Sequence, residues 1–380
     1  MLLTFTGAGV LIETPENRIL WGCGGEGPRP SGLDAVVLPD ATLARCGGLP
    51  VLAGRGWAGP VYASARTIAL VPPILAEAAR ANIEDEREAA AVGWPGSAAA
   101  FGEVEAKRAA ALLTCPDPGA FGPGLRLEFG DAGGVAGASW ARLRVGERVA
   151  LFAPVLGVKP EPRPSADTVV LTVPPYHDGE APDAGRLAGV VHRAVARGGS
   201  VLIAVSGGGP VAVVEATLAE LMAEGAAPRL PIVRDSALEP AIRPTVATPG
   251  APHVVLAGPE SGAAGRARAL LARMLPDPRH AVVFAGPVAP ETPAARLTAG
   301  ARQVKLLGRY LPARAEITRI GDFGVTARDR EFLAWAAAGP VPGTAFVLGE
   351  PARATVLART LHAEENWCAV VPSPGERVLC

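Results

Sequence analysis

The strongest constraint on the fold is the way apolar residues repeat along the chain, and this repeat changes near residue 176. Upstream, short apolar runs bounded by Gly, Pro or Asn are typical of strands joined by tight turns, as in LLTFTG, GVLIET and DAVVLP. Downstream, helix-like and strand-like segments alternate through GRLAGVVHRAVARGG, VLIAVSGGG, PVAVVEATLAELMAEG, HVVLAGPES, AGRARALLARML and HAVVFAG. This alternation predicts parallel strands connected by helices. Short strands return from residue 303, so the chain is predicted to be an α/β protein.

Length and charge narrow the functional classes. The 380 residues allow two domains, and the 49% apolar content predicts a globular protein despite 46 Gly and 38 Pro. The 36 Lys and Arg residues nearly cancel the 37 Asp and Glu residues, which leaves a formal net charge of −1. A strongly basic overall balance, the usual mark of a nucleic-acid-binding protein, is therefore missing from the composition.

The cysteines and the apolar runs predict a cytoplasmic protein. The five cysteines are odd in number, widely spaced and without a CxxC pair, so neither a disulfide framework nor a zinc ribbon is indicated. Cys46 follows Arg45, but no His or Asn in its motif could act as a base, which favours a buried structural thiol. The longest apolar stretch, 201–214, is interrupted by SGGGP and is shorter than the roughly 20 residues that span a bilayer. We also expect no secretory leader, because MLLTFTGAGV has no basic run.

Several segments, in order and at matching spacing, resemble the β-CASP branch of the metallo-β-lactamase superfamily. They include VVLPDATLARCGGLPVL, LEFGDAGGVAGAS, ALFAPVLG, PIVRDSALEPA, GDFGVTARDREFLAW and FVLGEP. That branch contains nucleic-acid-processing hydrolases such as RNase J and the endonuclease of the eukaryotic mRNA cleavage and polyadenylation machinery. The resemblance implies a four-layer αββα domain built from residues 1–176 and 313–380. It also implies an α/β β-CASP insert over residues 177–312.

The positions that would bind metal in an active relative carry other residue types here. Active members hold two zinc ions with His-x-His-x-Asp-His, followed by Gly-Gly-Leu-Pro, and with further ligands downstream. Aligned on the Gly47-Gly48-Leu49-Pro50 segment, these positions and the later motif positions are Asp40, Thr42, Ala44, Arg45, Gly134, Val155, Thr326 and Leu348. None is a histidine, and Arg45 would place a fixed cation where a metal is expected.

The resemblance therefore implies a catalytically inactive pseudonuclease with no metal or other cofactor. The frame of glycines, prolines and apolar strand residues is retained, whereas the groups that generate a metal-bound hydroxide are lost. In this family, inactive members pair with active ones. The implied role is that of a scaffold or regulatory subunit, with an active β-CASP homologue, an RNA-processing factor or a second copy of the chain as partner.

Two alternatives remain open at this point. The chain could bind RNA or a small anionic ligand in the interdomain cleft without metal, using Arg45 and Arg328. RNA is the weaker expectation, because the family's phosphate-binding Gly-Arg and Ser-Ser-Gly segments correspond here to Gly209-Pro210 and Gly258-Pro259-Glu260. The other alternative is a hydrolase with changed, metal-independent chemistry. SGGGP at 206–210 and His177-Asp178 are interpreted as a strand-to-helix turn and a surface turn.

Overall fold

A computed structural model describes the chain except residues 8, 26–31, 92–99, 118–120, 122–123, 134–136, 174–182, 206–207, 235–250, 287, 289–290, 322 and 324–325. The side chains of residues 84, 85, 88, 89, 91, 208 and 209 are also outside this description. The chain divides into two compact units. The first comprises Met1–Ala79, Phe101–Pro175 and Val325–Cys380, and the second comprises Arg80–Ala100 and Tyr176–Gly324.

The described elements, in chain order, are β1 (Leu2–Thr6), β2 (Gly9–Glu13), β3 (Arg18–Trp21), β4 (Ala35–Val37), α1 (Leu43–Cys46), α2 (Leu49–Gly54), β5 (Val61–Tyr62), α3 (Ala65–Ala91), α4 (Glu103–Ala110), β6 (Leu113–Thr114), β7 (Leu125–Asp131), β8 (Ser139–Val145), β9 (Arg148–Ala153), β10 (Thr168–Thr172), α5 (Ala184–Ala196), β11 (Val201–Ala204), α6 (Gly208–Ala223), β12 (Ile232–Arg234), β13 (Val254–Ala257), α7 (Gly265–Met274), β14 (Ala281–Ala285), α8 (Pro293–Thr298), β15 (Gln303–Leu306), β16 (Arg309–Pro312), β17 (Glu316–Ile320), α9 (Asp329–Ala337), β18 (Thr344–Leu348), α10 (Pro351–Glu365), β19 (Ala369–Val370) and β20 (Arg377–Leu379).

The first unit contains two sheets. One has the order β20-β1-β2-β3-β4-β5-β6, and its strands β3 to β6 are parallel. The other has the order β19-β18-β10-β9-β8-β7, and β9, β10, β18 and β19 are parallel. Strand β20 pairs with β1 at the edge of the first sheet.

The two sheets stack because successive side chains along each strand face opposite sides of the sheet. In β4, Ala35 and Val37 lie in the core between the sheets, whereas Val36 packs with helices α1 to α4 on the opposite face. In β9, Phe152 lies in the same inter-sheet core, whereas Leu151 packs with α9 and α10. Because successive strand residues face opposite ways, each sheet is covered on both sides. The result is the predicted αββα stack of helices, two sheets and helices.

The second unit has a parallel five-stranded sheet in the order β12-β13-β11-β14-β17. Helices α5 and α6 cover one face, and α7 and α8 cover the other together with the hairpin of β15 and β16. The fully buried Val201 and Ile203 of β11 face the first group of helices, and Leu202 faces the second. This confirms the α/β architecture predicted from the alternating segments.

Two boundaries differ from the sequence-based expectation. Helix α3 begins at Ala65 and contains Pro72 and Pro73, although a Pro pair in a sequence normally marks a helix boundary. Its buried face, formed by Val71, Leu75 and Ala79, already begins before the prolines, so core packing outweighs the cost of a helix-interior proline. The second unit extends beyond the expected end at residue 312, because β17 pairs with β14 and completes the parallel sheet.

Candidate functional site

The carboxyl ends of strands from both sheets of the first unit meet at one edge, which we call the strand-end rim. It consists of residues 38–48, 63–67, 131–133, 137–139, 153–157 and 326–327, together with the ends of β10 and β18. The backbone N–H of Ser139 donates to the carbonyl of Pro39 at 2.8 Å, which joins the two sheets here. The hydroxyl of Thr67 donates to the carbonyl of Gly137 at 2.6 Å and ties the start of α3 to the same edge.

Asp40 lies in the loop after β4, and its carboxylate orders that loop. The side chain is buried, with 5% of the residue exposed. Its Oδ1 accepts hydrogen bonds from the backbone N–H of Thr42 at 2.8 Å and from the Thr42 hydroxyl at 2.5 Å. This is an Asx-type turn leading into helix α1. The hydroxyl of Thr42 is therefore already engaged by Asp40.

Arg45 projects a cation from the same loop towards the second sheet. Its Nη2 donates to the hydroxyl of Thr172, at the end of β10, over 3.2 Å. Burial lowers the pKa of the Arg45 guanidinium, and the negative charge of Asp40 acts in the opposite direction. Because a guanidinium remains protonated in proteins around neutral pH, Arg45 is still a cation. The rim thus carries a fixed positive charge next to a buried carboxylate.

The remaining predicted positions are joined to the rim by backbone hydrogen bonds. The N–H of Gly157 donates to the carbonyl of Ala132 at 2.7 Å, and Gly157 forms an isolated antiparallel bridge with Thr326. Val155 therefore lies between two connected rim segments and is partly buried. Leu348 ends β18, where its carbonyl accepts from the N–H of Val173 at 2.8 Å.

The structure thus brings the described positions of the compared set to one edge of the first unit. Gly134 lies outside the described residues, as do His177, Asp178 and residues 206–207. Arg328 is exposed and precedes α9, where its backbone N–H donates to Glu331 at 2.9 Å. Among the described contacts, none joins Arg328 to Arg45, so the two predicted ligand-binding arginines are not brought together by a direct bond.

The residues at the rim do not fit a pair of zinc ions. Zinc requires about three or four nitrogen, sulfur or carboxylate ligands at each centre. Of the positions compared, Asp40 alone supplies a carboxylate, while Ala44, Val155 and Leu348 supply none. Within the described part of the chain, no group of three His, Cys, Asp or Glu side chains could hold a metal. The one described histidine of the first unit, His362, lies on α10 with its Nδ1 within 3.0 Å of the Trp367 carbonyl.

The two buried cysteines near the rim are poor nucleophiles. Burial raises the pKa of Cys23 to about 12. Burial also raises the pKa of Cys46, with a smaller contribution from Asp40, and its thiol donates to the carbonyl of Ala41 at 3.5 Å. Since the thiolate is the reactive form, these groups are inert at neutral pH. Cys46 is buried, as the sequence predicts.

Sequence reasoning missed Thr172, the partner of Arg45. It ends the apolar segment TVVLT, and a threonine at the end of a buried strand has no spacing that distinguishes it. Its position across from the loop after β4 follows only from the packing of the two sheets. A polar residue at the carboxyl end of a parallel strand was the available signal.

Comparison with known proteins identifies the class. Residues 211–297 match the Beta-Casp domain family. This match and a ribonuclease relative support the metallo-β-lactamase/β-CASP superfamily. Among curated proteins it is similar to ribonuclease TTHA0252 from Thermus thermophilus, at 28% identity over an alignment of 428 residues that covers 94% of this chain and 93% of the relative.

Two solved structures are also similar to the chain. A protein of unknown function from Enterococcus faecalis V583 covers 99% of both chains with a TM-score of 0.52 and 11% identity, which supports the fold alone. The metallo-β-lactamase fold protein YhfI from Bacillus subtilis covers 47% of this chain and 73% of its own, at 12% identity. Its TM-score of 0.31 is too low to support an argument.

Proposed function

We propose that this chain is a catalytically inactive β-CASP ribonuclease-like protein that acts as a scaffold or regulatory subunit. The observation that carries the proposal is Arg45, whose guanidinium extends from the loop after β4 to Thr172 at the end of β10. In an active relative, this loop supplies metal ligands. Here it supplies a permanent cation and a carboxylate already bonded to Thr42.

A guanidinium cannot replace the metal in hydrolysis. A bound metal ion lowers the pKa of a coordinated water to about 7 and so generates hydroxide near neutral pH. An arginine side chain only donates hydrogen bonds and has no vacant coordination position. Arg45 can therefore stabilise the loop or attract an anion, but it supplies no nucleophile.

The proposed role is exerted through a protein partner, either an active β-CASP homologue, an RNA-processing factor or a second copy of this chain. Support comes from the fold, in which the described strands of both sheets and the described parts of the rim are formed although the compared positions carry no histidine. We place the protein in the cytoplasm. No helix among the described residues is long and apolar enough to cross a membrane.

A ribonuclease assay tests the loss of hydrolysis. The purified full-length chain is incubated with labelled single-stranded RNA and Zn²⁺ or Mn²⁺, with ribonuclease TTHA0252 as the active control. We expect no metal-dependent cleavage, and the Arg45→Met variant should match the parent chain. Cleavage by the parent that depends on metal and is saturable in RNA would show that the proposal is wrong.

The proposed role as a scaffold or regulatory subunit is tested by adding this chain to an active β-CASP ribonuclease encoded by the same genome. We expect a complex of defined mass by light scattering and a changed rate of RNA cleavage. The homodimer is the alternative outcome, visible as a doubled mass of the chain alone. A monomer that leaves the active enzyme unbound and its rate unchanged would contradict the scaffold role.

A further inference from the structure

Strand β7 forms one edge of the second sheet of the first unit. Among the described strands it has one neighbour, β8, in an antiparallel register that pairs Leu125 with Val145 and Asp131 with Ser139. In such a pair, every second residue directs its backbone N–H and C=O towards the neighbour, and the residues between direct theirs away from it. The outer side of β7 therefore presents a row of backbone groups at the edge of the sheet.

Hydrogen bonds at both ends of β7 show which residues point away from β8. The N–H of Gly146 donates to the carbonyl of Gly124 at 3.1 Å, and the N–H of Ala132 donates to the carbonyl of Ala138 at 3.0 Å. Both bonds follow the register of the pair, so the even-numbered residues of β7 bond to β8 and the odd-numbered ones point to the edge. The odd-numbered residues of the strand are Leu125, Leu127, Phe129 and Asp131.

The open part of this edge ends at Asp131. The N–H of Asp131 donates to the carboxylate of Glu161 at 3.1 Å, and its carbonyl accepts from the N–H of Glu161 at 2.9 Å. Within the described part of the chain, no hydrogen bond engages the outward backbone groups of Leu125, Leu127 or Phe129. An open strand edge of this kind is a template for pairing with another chain.

The side chains along this edge alternate in character. Leu125, Leu127 and Phe129 pack on the core between the sheets, and Leu127 and Phe129 are only partly buried. Arg126 and Glu128 lie on the opposite face and are exposed. The segment 124–130, GLRLEFG, thus has the same order of glycine, apolar and charged positions in both directions, with Arg exchanged for Glu.

The charges on this face are only partly neutralised within the sheet. The register places Arg126 directly opposite Arg144, and among the described contacts neither side chain has an ion pair. Like charges directly opposite each other in a sheet are destabilising. Glu128 lies opposite Arg142 and contacts it at 3.3 Å, yet 58% of the Glu128 side chain is exposed and accessible to a second cation. The face therefore offers an unpaired cation and an accessible carboxylate two residues apart.

We propose that two copies of the chain pair through β7, antiparallel about a two-fold axis at Leu127. The outward residues then face each other, Leu127 opposite Leu127 and Leu125 opposite Phe129, and form about six backbone hydrogen bonds. Arg126 of each copy lies directly opposite Glu128 of the other, so the missing carboxylate is provided twice. The same surface serves both copies, and the contact closes as a dimer.

Charge and backbone direction both favour this register over its neighbours. An axis at Arg126 would place the two arginines directly opposite each other, and an axis at Glu128 would do the same with two carboxylates. Only the axis at Leu127 pairs all three open residues of one copy with those of the other. The inference rests on the proposed function, in which a second copy is one of the named partners, and it specifies the surface.

Sedimentation equilibrium of the full-length chain, from about 1 to about 100 μM, tests the proposal, and we expect a dimer. Arg126→Glu and Glu128→Arg each place like charges opposite each other at both contacts, so each should raise the dissociation constant about tenfold or more. An equal mixture of the two variants should dimerise again, because each then offers the other two pairs of opposite charge. Arg359→Glu, the same reversal at an exposed position of α10, is the matched control and should change the constant by less than about twofold.

Amide exchange of the unsubstituted chain locates the surface without any variant. Protection of the Leu127 and Phe129 amides should rise with protein concentration, whereas the Arg126 and Glu128 amides, which bond to β8, should be protected throughout. A monomer at the highest concentration would overturn the proposal, as would a dimer without this added protection. A dimer that both reversals leave intact, or folded variants that fail to dimerise when mixed, would overturn it too. Because the chain is measured alone, without RNA or another ribonuclease, such a failure leaves the proposed inactivity and a different partner standing.

Discussion

Arg45 connects the loop after β4 to the second sheet, and its charge and hydrogen bond help to hold the rim in shape. A buried carboxylate such as Asp40 is costly unless it is hydrogen-bonded and has a positive charge nearby. Thr42 provides the hydrogen bonds and Arg45 the charge. In a metal-containing site, the ions would fulfil the second role. We infer that Arg45 is a structural substitute for their charge.

Removing this charge should destabilise the first unit. Arg45→Met deletes the bond to Thr172 and leaves Asp40 without its nearby cation, so the free energy of unfolding should fall by about 1–3 kcal/mol. Arg66→Met is the matched control, because Arg66 pairs with Asp131 at the surface with 77% of its side chain exposed, and such pairs contribute about 0–1 kcal/mol. Tryptophan fluorescence during urea unfolding follows this unit, since Trp21, Trp57 and Trp140 are among its buried residues. Equal effects of the two substitutions would contradict the role given to Arg45.

At the scale of elements, the strands and helices that could be predicted are those whose apolar residues form a recognisable pattern within the element itself. The short, continuous apolar runs of β4 and β9, which are bounded by turn residues, indicate strands with two buried faces. The start of α3 was not predictable in this way, because Pro72 and Pro73 normally mark a helix boundary. The bond from Thr67 to Gly137 joins residues 70 positions apart, and only the folded chain places them together. Thr172 could not be predicted as the partner of Arg45 for the same reason, because the two residues are far apart in the sequence and meet only in the folded chain.

The amino ends of β11 and β14 contain a titratable contact that should make the second unit sensitive to acid. The backbone N–H of Ser200 donates to Nδ1 of His280 at 3.0 Å, which requires a neutral imidazole. Burial lowers the pKa of His280, aided by Arg279 and His253, while Asp277 opposes the shift. When the pKa of a base is lower in the folded state than in the unfolded state, folding favours its neutral form. The base then makes its full contribution to the stability of the fold at pH values above its unfolded pKa. That stability is lost as the pH falls from about 6.5 towards the folded pKa.

We therefore expect amide protection in β11 and β14, corrected for intrinsic exchange rates, to decrease between about pH 7.5 and about pH 5.5. His280→Asn retains an acceptor near the Nδ1 position but does not titrate, so its protection should change less over the same range. Identical pH profiles for the parent and the variant would show that His280 is not the responsible group.

At the scale of the whole molecule, the net charge and the local distribution of charged residues lead to different expectations about the binding of RNA. The net charge of −1 argued against a nucleic-acid partner, yet five cations without an acid occupy residues 292–315. A sum over the chain cannot show this segregation. The resemblance to the family, in contrast, followed from the order and spacing of motifs, and the alignment with ribonuclease TTHA0252 covers 94% of the chain.

Metal content of the purified chain tests the central claim most directly. The full-length protein is incubated with excess Zn²⁺ or Mn²⁺, passed through a desalting column and analysed by mass spectrometry for metal per chain, with ribonuclease TTHA0252 treated identically for comparison. Because Asp40, Thr42, Ala44 and Arg45 do not form a zinc site, we predict well under about 0.1 metal ions per chain. About one or two tightly bound ions per chain, with binding changed by Asp40→Asn, would contradict the account.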